Sequence, residues 1–293
     1  MATVIPADEI KRLSALGILN AKGTDLFTIH VLTDNGALTA AQTRVLAEIS
    51  ETYGSGELSF SAQTTVAIRG VHYSNIDTVL SRFSQVGLVT GGTGSRIHPI
   101  VACRGTSCRF GLCDTLALYK KMHERFYLGY HDVKLPHKFK IAIGGCPNNC
   151  VKPNLSDIGI MGQVIPGFDP TLCKNCASCS VQTGCPMGAA KMIDGTLRID
   201  PEICNHCGRC TSKCPFGAVL RERVGIAVYI GGCSGKKIVP ARPIEKLFVS
   251  EEDVLDVVER AILLYQNQGT KGERFADTIA RLEFENVQQH LLG

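Results

Sequence analysis

Cysteine is the residue whose number and spacing say most about the chemistry open to this sequence. Cys173, Cys176 and Cys179 form a CxxCxxC run followed by Cys185-Pro186, and Cys204, Cys207 and Cys210 form a second run followed by Cys214-Pro215. Thiolate fours of this kind hold 4Fe–4S clusters, because soft sulfur matches iron–sulfur chemistry. A separate set lies upstream: Cys103 and Cys108 in CRGTSC, and Cys146 and Cys150 in GGCPNNC. A lone CxxxC would say little, but paired with CRGTSC it becomes a candidate ligand set. Gly144-Gly145 lets the backbone come close to a bulky inorganic core and tolerates positive φ, and Pro147 removes a backbone donor and stiffens the loop. Of the 14 cysteines, these sets use eight and four, which leaves Cys113 and Cys233 over.

The two halves 173–186 and 204–215 are an internal repeat. Repeated CxxCxxC…CP is the bacterial two-cluster ferredoxin pattern, in which the fourth cysteine crosses to the other cluster. On that pattern one cluster takes Cys173, Cys176, Cys179 and Cys214, and the other takes Cys204, Cys207, Cys210 and Cys185. The first half has five residues before its last cysteine where the second has three. A pair of zinc sites is the bland alternative, disfavoured by the tandem Cys-Pro endings.

Elements must position these thiols. Helical spacing of apolar residues marks 5–20, 38–52 (with Thr39 as cap), 74–86, 112–126 and 251–266 as helices. Residues 26–33, 58–71, 97–102, 141–143, 158–165 and the VGIAVYIGG stretch read as strands. The first of these form a compact α+β unit of about 85 residues. From Pro166 to Arg223 the composition changes to short elements and eight cysteines, a segment too small for much of a core unless metal substitutes for one. GGTGS in the 87–95 stretch has no Walker lysine and no GxGxxG spacing, so a phosphate loop is a weak alternative.

Composition narrows the partners. With 31 basic and 27 acidic residues, the net charge of +4 is too small to argue for nucleic acid. No stretch approaches the ~20 apolar residues of a membrane span, and MATVIPADEIKRL lacks a signal-peptide layout, so a cytoplasmic protein is expected. In a reducing compartment, clustered thiols point to metal and not to disulfides.

CRGTSCRFG at 103–111, GGCPNNC at 144–150 and LSFSAQTTVAIRGV at 58–71 resemble the sirohaem and 4Fe–4S sulfite and nitrite reductases. With the cysteine-rich insert and the short chain, the sequence is most similar to the catalytic C subunit of bacterial anaerobic sulfite reductases. The resemblance runs from about residue 25 to 280. It implies an α+β fold: a sulfite reductase-like half, with a ferredoxin-like N-terminal unit at 1–90 and a sirohaem and cluster domain at 91–165 and 223–293. A two-cluster bacterial ferredoxin domain would be inserted at 166–222.

It further implies that Cys103, Cys108, Cys146 and Cys150 hold a third 4Fe–4S cluster, with Cys150 bridging to the sirohaem iron. Cys113 repeats the four-residue spacing after Cys108 and competes with Cys103, which the family pattern favours; Cys233 reads as a turn or core residue. Lys138 and Lys140 in LPHKFK correspond to the lysine pair that meets the substrate anion. Arg69, Arg96, Arg104 and Arg109 are candidates for substrate or for the macrocycle's eight carboxylates. Gln63 stands where the family presents an arginine, which leaves sulfite and nitrite both open. His72, His98, His137 and His206 carry no motif and read as structural.

The function implied is six-electron reduction of sulfite to sulfide. No flavin or nicotinamide fingerprint is present, so electron-donor subunits are expected: an NADH-dependent flavoprotein with an iron–sulfur subunit, or a ferredoxin. A homodimer or larger complex is implied, with lysines and cysteines of one site drawn from different chains. The alternatives are a nitrite reductase of the same family, or an electron-transfer iron–sulfur protein that has lost its sirohaem.

Overall fold

The computed structural model describes residues 5–130 and 132–293; residues 1–4, the start of MATVIPADEIKRL, lie outside the described residues. The chain forms two compact units, each assembled from three stretches: Met1–Val101, Lys121–Ile141 and Leu263–Thr278 in one, and Ala102–Lys120, Ala142–Ile262 and Ile279–Gly293 in the other.

The first unit contains α1 (Ala7–Ala15), β1 (Ile18–Asn20), β2 (Leu26–Val31), α2 (Ala40–Tyr53), β3 (Leu58–Phe60), β4 (Val66–His72) and α3 (Ile76–Ser84). Its antiparallel sheet has the order β1-β2-β4-β3. Alternation in β2 buries Phe27, Ile29 and Val31, which pack in one core with Leu46 and Ile49 of α2 and Val79 and Phe83 of α3. α2 starts where Thr39 makes a capping box: the Gln42 N–H donates to Thr39 Oγ1 (3.1 Å), and the Thr39 N–H to Gln42 Oε1 (3.0 Å). Such a cap stabilises a helix by ~1 kcal/mol.

The single strand expected over 58–71 is two strands. Ser61 Oγ accepts from the N–H groups of Gln63 and Thr65, and Thr64 has φ +57°, so the intervening residues curl into a hydroxyl-anchored turn.

Residues 91–101, 121–141 and 263–278 belong to this unit, whereas the sequence pattern groups them with the cysteine loops. Phe139 explains the difference. The Phe139 N–H donates to the Arg96 carbonyl (3.0 Å), and the His98 N–H donates to the Phe139 carbonyl (2.8 Å). Its fully buried ring lies 5.6 Å from Tyr265 and 5.2 Å from Phe275. Two stretches thus share one aromatic cluster and the third is tied to it through backbone; of the strand expected over 97–102 only Val101–Ala102 is strand.

The remaining elements, several of which cross the division, are β5 (Val101–Ala102), α4 (Thr115–Met122), β6 (Ile141–Gly144), β7 (Ile158–Phe168), α5 (Ser180–Gly184), β8 (Ala190–Ile193), β9 (Thr196–Ile199), β10 (Val219–Ile230), β11 (Arg242–Phe248), α6 (Glu251–Gln268), α7 (Phe275–Leu282) and α8 (Phe284–Leu292). α4 passes into a π-helical turn at His123–Leu128. The main sheet runs β11-β10-β7-β6-β5.

β7 and β10 pair antiparallel from Ile158↔Ile230 to Phe168↔Val219, so the cysteine-rich stretch leaves and returns at one end of a long two-stranded ladder. That stretch has its own β8–β9 hairpin and a small core of Val181, Ala190, Leu197 and Val219, against which Cys179, Cys185, Cys210 and Cys214 pack. So few apolar side chains cannot hold a fold alone, and thiols take the place that larger hydrophobes fill elsewhere.

Candidate functional site

Cys103 follows β5, and its N–H donates to the Ile143 carbonyl of β6 (2.9 Å). The loop it opens is fastened at three points. Thr115 Oγ1, fully buried, donates to the Cys103 carbonyl (2.7 Å), and the Leu112 N–H donates to the Gly145 carbonyl (2.8 Å). Thr106 Oγ1 donates to Asp114 Oδ1 (2.6 Å), which also caps the N–H groups of Leu116 and Ala117; these donors hold the Asp114 carboxyl below its usual range.

The second loop begins at Gly145, whose N–H donates to Cys103 Sγ (3.1 Å). A Cβ added to Gly145 would lie 2.6 Å from Gly105 Cα, so the two cysteine loops touch backbone to backbone. Asn149, at φ +58°, turns the chain between Cys146 and Cys150 and donates from Nδ2 to Asn154 Oδ1 (2.6 Å).

Burial first, and then the neighbouring Cys103, Cys150 and Cys108 thiolates, push the Cys146 thiol above its ordinary range, which places all four sulfurs in one electrostatic neighbourhood. Cys103 and Cys146 are half-buried, whereas Cys108 and Cys150 are exposed at the loop surface. Such a set suits a cluster held from below and shared from above.

Cys113 lies within reach of the Cys103 charge but packs against backbone. Its Sγ lies 3.9 Å from the Gly144 carbonyl oxygen and would be 3.1 Å from a Cβ on Gly162, and burial pushes its thiol up to about 12. Cys233 exchanges backbone hydrogen bonds with Val239 (2.8 and 2.9 Å) in a small hairpin.

Two cavities lie in the cysteine-rich stretch. One is lined by Cys173, Cys176, Cys179 and Cys214, the other by Cys185, Cys204, Cys207 and Cys210. Each therefore takes three thiols from one half of the repeat and the fourth from the other. Burial, then the Cys204 and Cys207 thiolates, and then Cys185 push the Cys210 thiol up to about 11. Among the described residues no three His, Cys, Asp or Glu side chains converge on a point that would hold one metal ion. Thiols spaced around a cavity suit a four-iron cluster, which takes one ligand at each corner.

In the first unit, Lys138 and Lys140 flank buried Phe139 and are half-buried themselves. They meet a histidine that carries no sequence motif. His98 is 7 % exposed; its Nε2 lies 3.1 Å from the Gly94 carbonyl oxygen and its Nδ1 3.4 Å from Gln63 Oε1. Burial lowers its pKa to about 4; the Gly94 bond opposes this, and the charges of Lys140, Lys138 and Arg274 add to it. The structure thus groups Gln63, Lys138 and Lys140 and adds His98 and Arg274, whose positions in the sequence share no spacing.

Arg96 is half-buried near Tyr127, and Arg69 is exposed on β4. Arg104 and Arg109 are exposed on the first cysteine loop, in the other unit. Of the other histidines, His72 bonds to Asp25 (3.0 Å), His137 Nδ1 accepts from the Lys138 N–H (2.7 Å), and the His206 carbonyl accepts from the Val164 N–H (2.8 Å).

The depressed His98 pKa has a consequence for stability. The unfolded chain binds the proton near pH 6.5 and the folded chain near 4, so stability is full above about 6.5 and falls as pH drops through that window. The loss is ~3 kcal/mol at most. Denaturant titrations of wild type and His98→Gln at pH 7.5 and 4.5 should show a smaller pH dependence in the variant; equal slopes would remove His98 as the cause.

Comparison with known proteins supplies the context. The nitrite and sulphite reductase 4Fe-4S domain family matches residues 93–292, and the nitrite/sulfite reductase ferredoxin-like half domain matches residues 19–86. The alpha subunit of the dissimilatory-type sulfite reductase of Allochromatium vinosum is 26% identical over 94% of this chain and 72% of its own length. The C subunit of the anaerobic sulfite reductase of Salmonella typhimurium is 29% identical over 52% of this chain and 48% of that protein. The crystal structure of dissimilatory sulfite reductase I superposes with a TM-score of 0.71 at 20% identity, over 91% of this chain and 69% of that one, a likeness of fold. No helix among the described residues is long and apolar enough to cross a membrane. With the 4Fe-4S domain match spanning both cysteine loops and the cysteine-rich stretch between β7 and β10, the chain belongs to the nitrite and sulphite reductase family.

Proposed function

We propose that the chain is the catalytic subunit of a sulfite reductase, passing six electrons to sulfite at a sirohaem coupled to a 4Fe–4S cluster. The observation that carries this is the meeting of Cys103, Cys108, Cys146 and Cys150 on two loops locked together at Gly105 and Gly145. Cys150, exposed and last of the four, would hold the sirohaem iron as well as the cluster. When bound, sirohaem supplies an open iron site and a conjugated store of electrons. Exposed Arg104 on the same loop is available for its carboxylates, whereas Arg109 is drawn over the Phe110 ring into the cleft beside Cys207.

Lys138 and Lys140 attract the oxyanion and stabilise the charge that grows on its oxygens as they leave as water. Neutral His98, donating from Nε2 to the Gly94 carbonyl, lies beside the Gln63 side chain. The cysteine-rich stretch is a two-cluster ferredoxin insert that receives electrons from donor subunits, a flavoprotein with an iron–sulfur protein or a ferredoxin. Assembly is as a homodimer or larger complex in the cytoplasm.

Gln63 favours one second reading. An amide where the family places an arginine weakens the preference for a doubly charged anion, so nitrite is the alternative substrate. Turnover of sulfite and nitrite side by side with a chemical reductant separates the two. An absorption spectrum without sirohaem bands after reconstitution would instead leave an electron-transfer protein.

Loss of one charge-assisted contact to the oxyanion is worth ~1.5–3 kcal/mol, or about 10- to 100-fold. Lys140→Ala should therefore lower kcat/KM for sulfite by about that factor, with sirohaem content unchanged. An unaltered kcat/KM would place the lysine outside the substrate site.

A further inference from the structure

The two halves of the cysteine repeat are alike in ligands and unlike in charge. Beside the cavity of Cys185, Cys204, Cys207 and Cys210 opens a cleft of about 370 Å³, lined by Arg109, Phe110, Arg209, Lys213 and Arg221 together with Cys207 and Gly208. Arg209 lines both the cleft and the cysteine cavity. Two guanidiniums lie over the Phe110 ring, Arg109 at 4.6 Å and Arg209 at 6.0 Å from its centroid. No carboxylate lines the cleft, and none of its four cations forms an ion pair among the described residues. Each cysteine cavity has a single cation in its own lining, Lys174 around Cys173, Cys176, Cys179 and Cys214 and Arg209 around the other four, so the asymmetry lies in the adjoining cleft. Asp169 and Asp200 precede the two cysteine runs at the same spacing and so cancel in the comparison, and Glu202 is exposed and lines neither cavity.

Lys213 also adjoins Cys214 of the other cluster and so favours neither, but three uncompensated arginines beside one of two like sites have a defined electrostatic effect. A 4Fe–4S cluster on four thiolates is an anion, and its reduced form carries one more negative charge. Nearby cations stabilise the reduced form and raise the potential. We infer that Arg109, Arg209 and Arg221 set the redox order of the insert, making the cluster at Cys185, Cys204, Cys207 and Cys210 the more easily reduced of the two; this rests on the iron–sulfur reading of the insert.

An electron that leaves the reduced cluster at Cys173, Cys176, Cys179 and Cys214 returns that cluster to its oxidised state and reduces the other by one electron. The direction of this transfer matches the packing. The Val164 N–H donates to the His206 carbonyl (2.8 Å), and a Cβ on Gly208 would be 2.9 Å from Val164 Cβ. Two residues earlier on the same strand, Gly162 abuts the Gly145 carbonyl and Leu112 of the other cysteine loops. The favoured cluster is thus the one whose cysteine run meets β7 at Val164, two residues from the contact with the Cys103–Cys150 loops, whereas the other cavity touches β7 at its far end, Phe168.

The test is a dithionite titration of the reconstituted full chain, followed by electron paramagnetic resonance. Cys176→Ser and Cys207→Ser, each lacking one cluster, identify the signals. Arg209→Gln/Arg221→Gln should move the midpoint of the Cys207 cluster to more negative potential and leave the Cys176 cluster where it was. Arg209→Lys should keep the wild-type midpoint. Because the cleft is open to solvent, raising the salt concentration on unmodified protein should lower the Cys207 midpoint more than the other. Equal shifts of both clusters, or none in either the variant or the salt series, would overturn the inference. Reconstituted chain without insert signals would overturn the iron–sulfur reading itself and the inference with it.

Discussion

Replacing Cys150 by serine is expected to reduce sulfite turnover to background and to uncouple the sirohaem from its cluster. Cys150 is exposed at the tip of a loop that Asn149 turns through a left-handed conformation, so its sulfur is presented outward as well as toward Cys146. A thiolate shared between two iron centres couples them directly; a serine oxygen is a harder ligand and breaks that path. Cys113→Ser is the matched contrast. Its thiol packs against the backbone of Gly144 and Gly162, so its loss should leave the iron content unchanged. Magnetic coupling that survives in Cys150→Ser would sink the bridging assignment. Loss of one cluster's iron in Cys113→Ser would show that the wrong cysteine of the first loop was chosen.

What could be read from the sequence was what short-range chemistry dictates. Thr39 and Gln42 make a capping box from four adjacent residues, and the helix begins there. The CxxCxxC runs and their Cys-Pro endings carry their grouping in the repeat itself, and the structure places those same fours around two cavities. What stayed hidden depends on distant segments meeting. Cys113 repeats a ligand spacing, and only the approach of β6 and β7 turns its sulfur toward backbone. His98 and Arg274 lie far apart in the chain and join Lys138 and Lys140 because Phe139, between the lysines, is bound to Arg96 and His98 and packed on Tyr265 and Phe275. The same pairing explains why the N-terminal unit draws residues from three stretches. Arg209 reads as one more exposed cation in a ferredoxin-like run, and only the fold brings Phe110 of the first cysteine loop against it.

Gly145→Ala should cost the protein one cluster and leave the other two. The added Cβ would stand 2.6 Å from Gly105 Cα, 3.3 Å from Thr115 Cγ2 and 3.5 Å from Cys103 Sγ. The closest of these is backbone, which cannot swing aside as a long side chain does. Its loop is also fixed, since Thr115 holds the Cys103 carbonyl and Leu112 holds the Gly145 carbonyl. Relief requires the two loops to part, and parting them separates Cys103 and Cys108 from Cys146 and Cys150. Overpacking of this kind costs ~1–3 kcal/mol in an ordinary core, and here it falls on the geometry of a ligand set. The insert has its own core and its own thiols, so its clusters should remain. Gly235→Ala is the control, because a Cβ there meets nothing within 4 Å. Iron analysis with electron paramagnetic resonance should find the signal of the Cys103–Cys150 centre gone in Gly145→Ala and intact in Gly235→Ala. A full complement of iron in Gly145→Ala would mean that the contact with Gly105 yields without moving the cysteines, and that the glycine pair is not what holds the two loops in register.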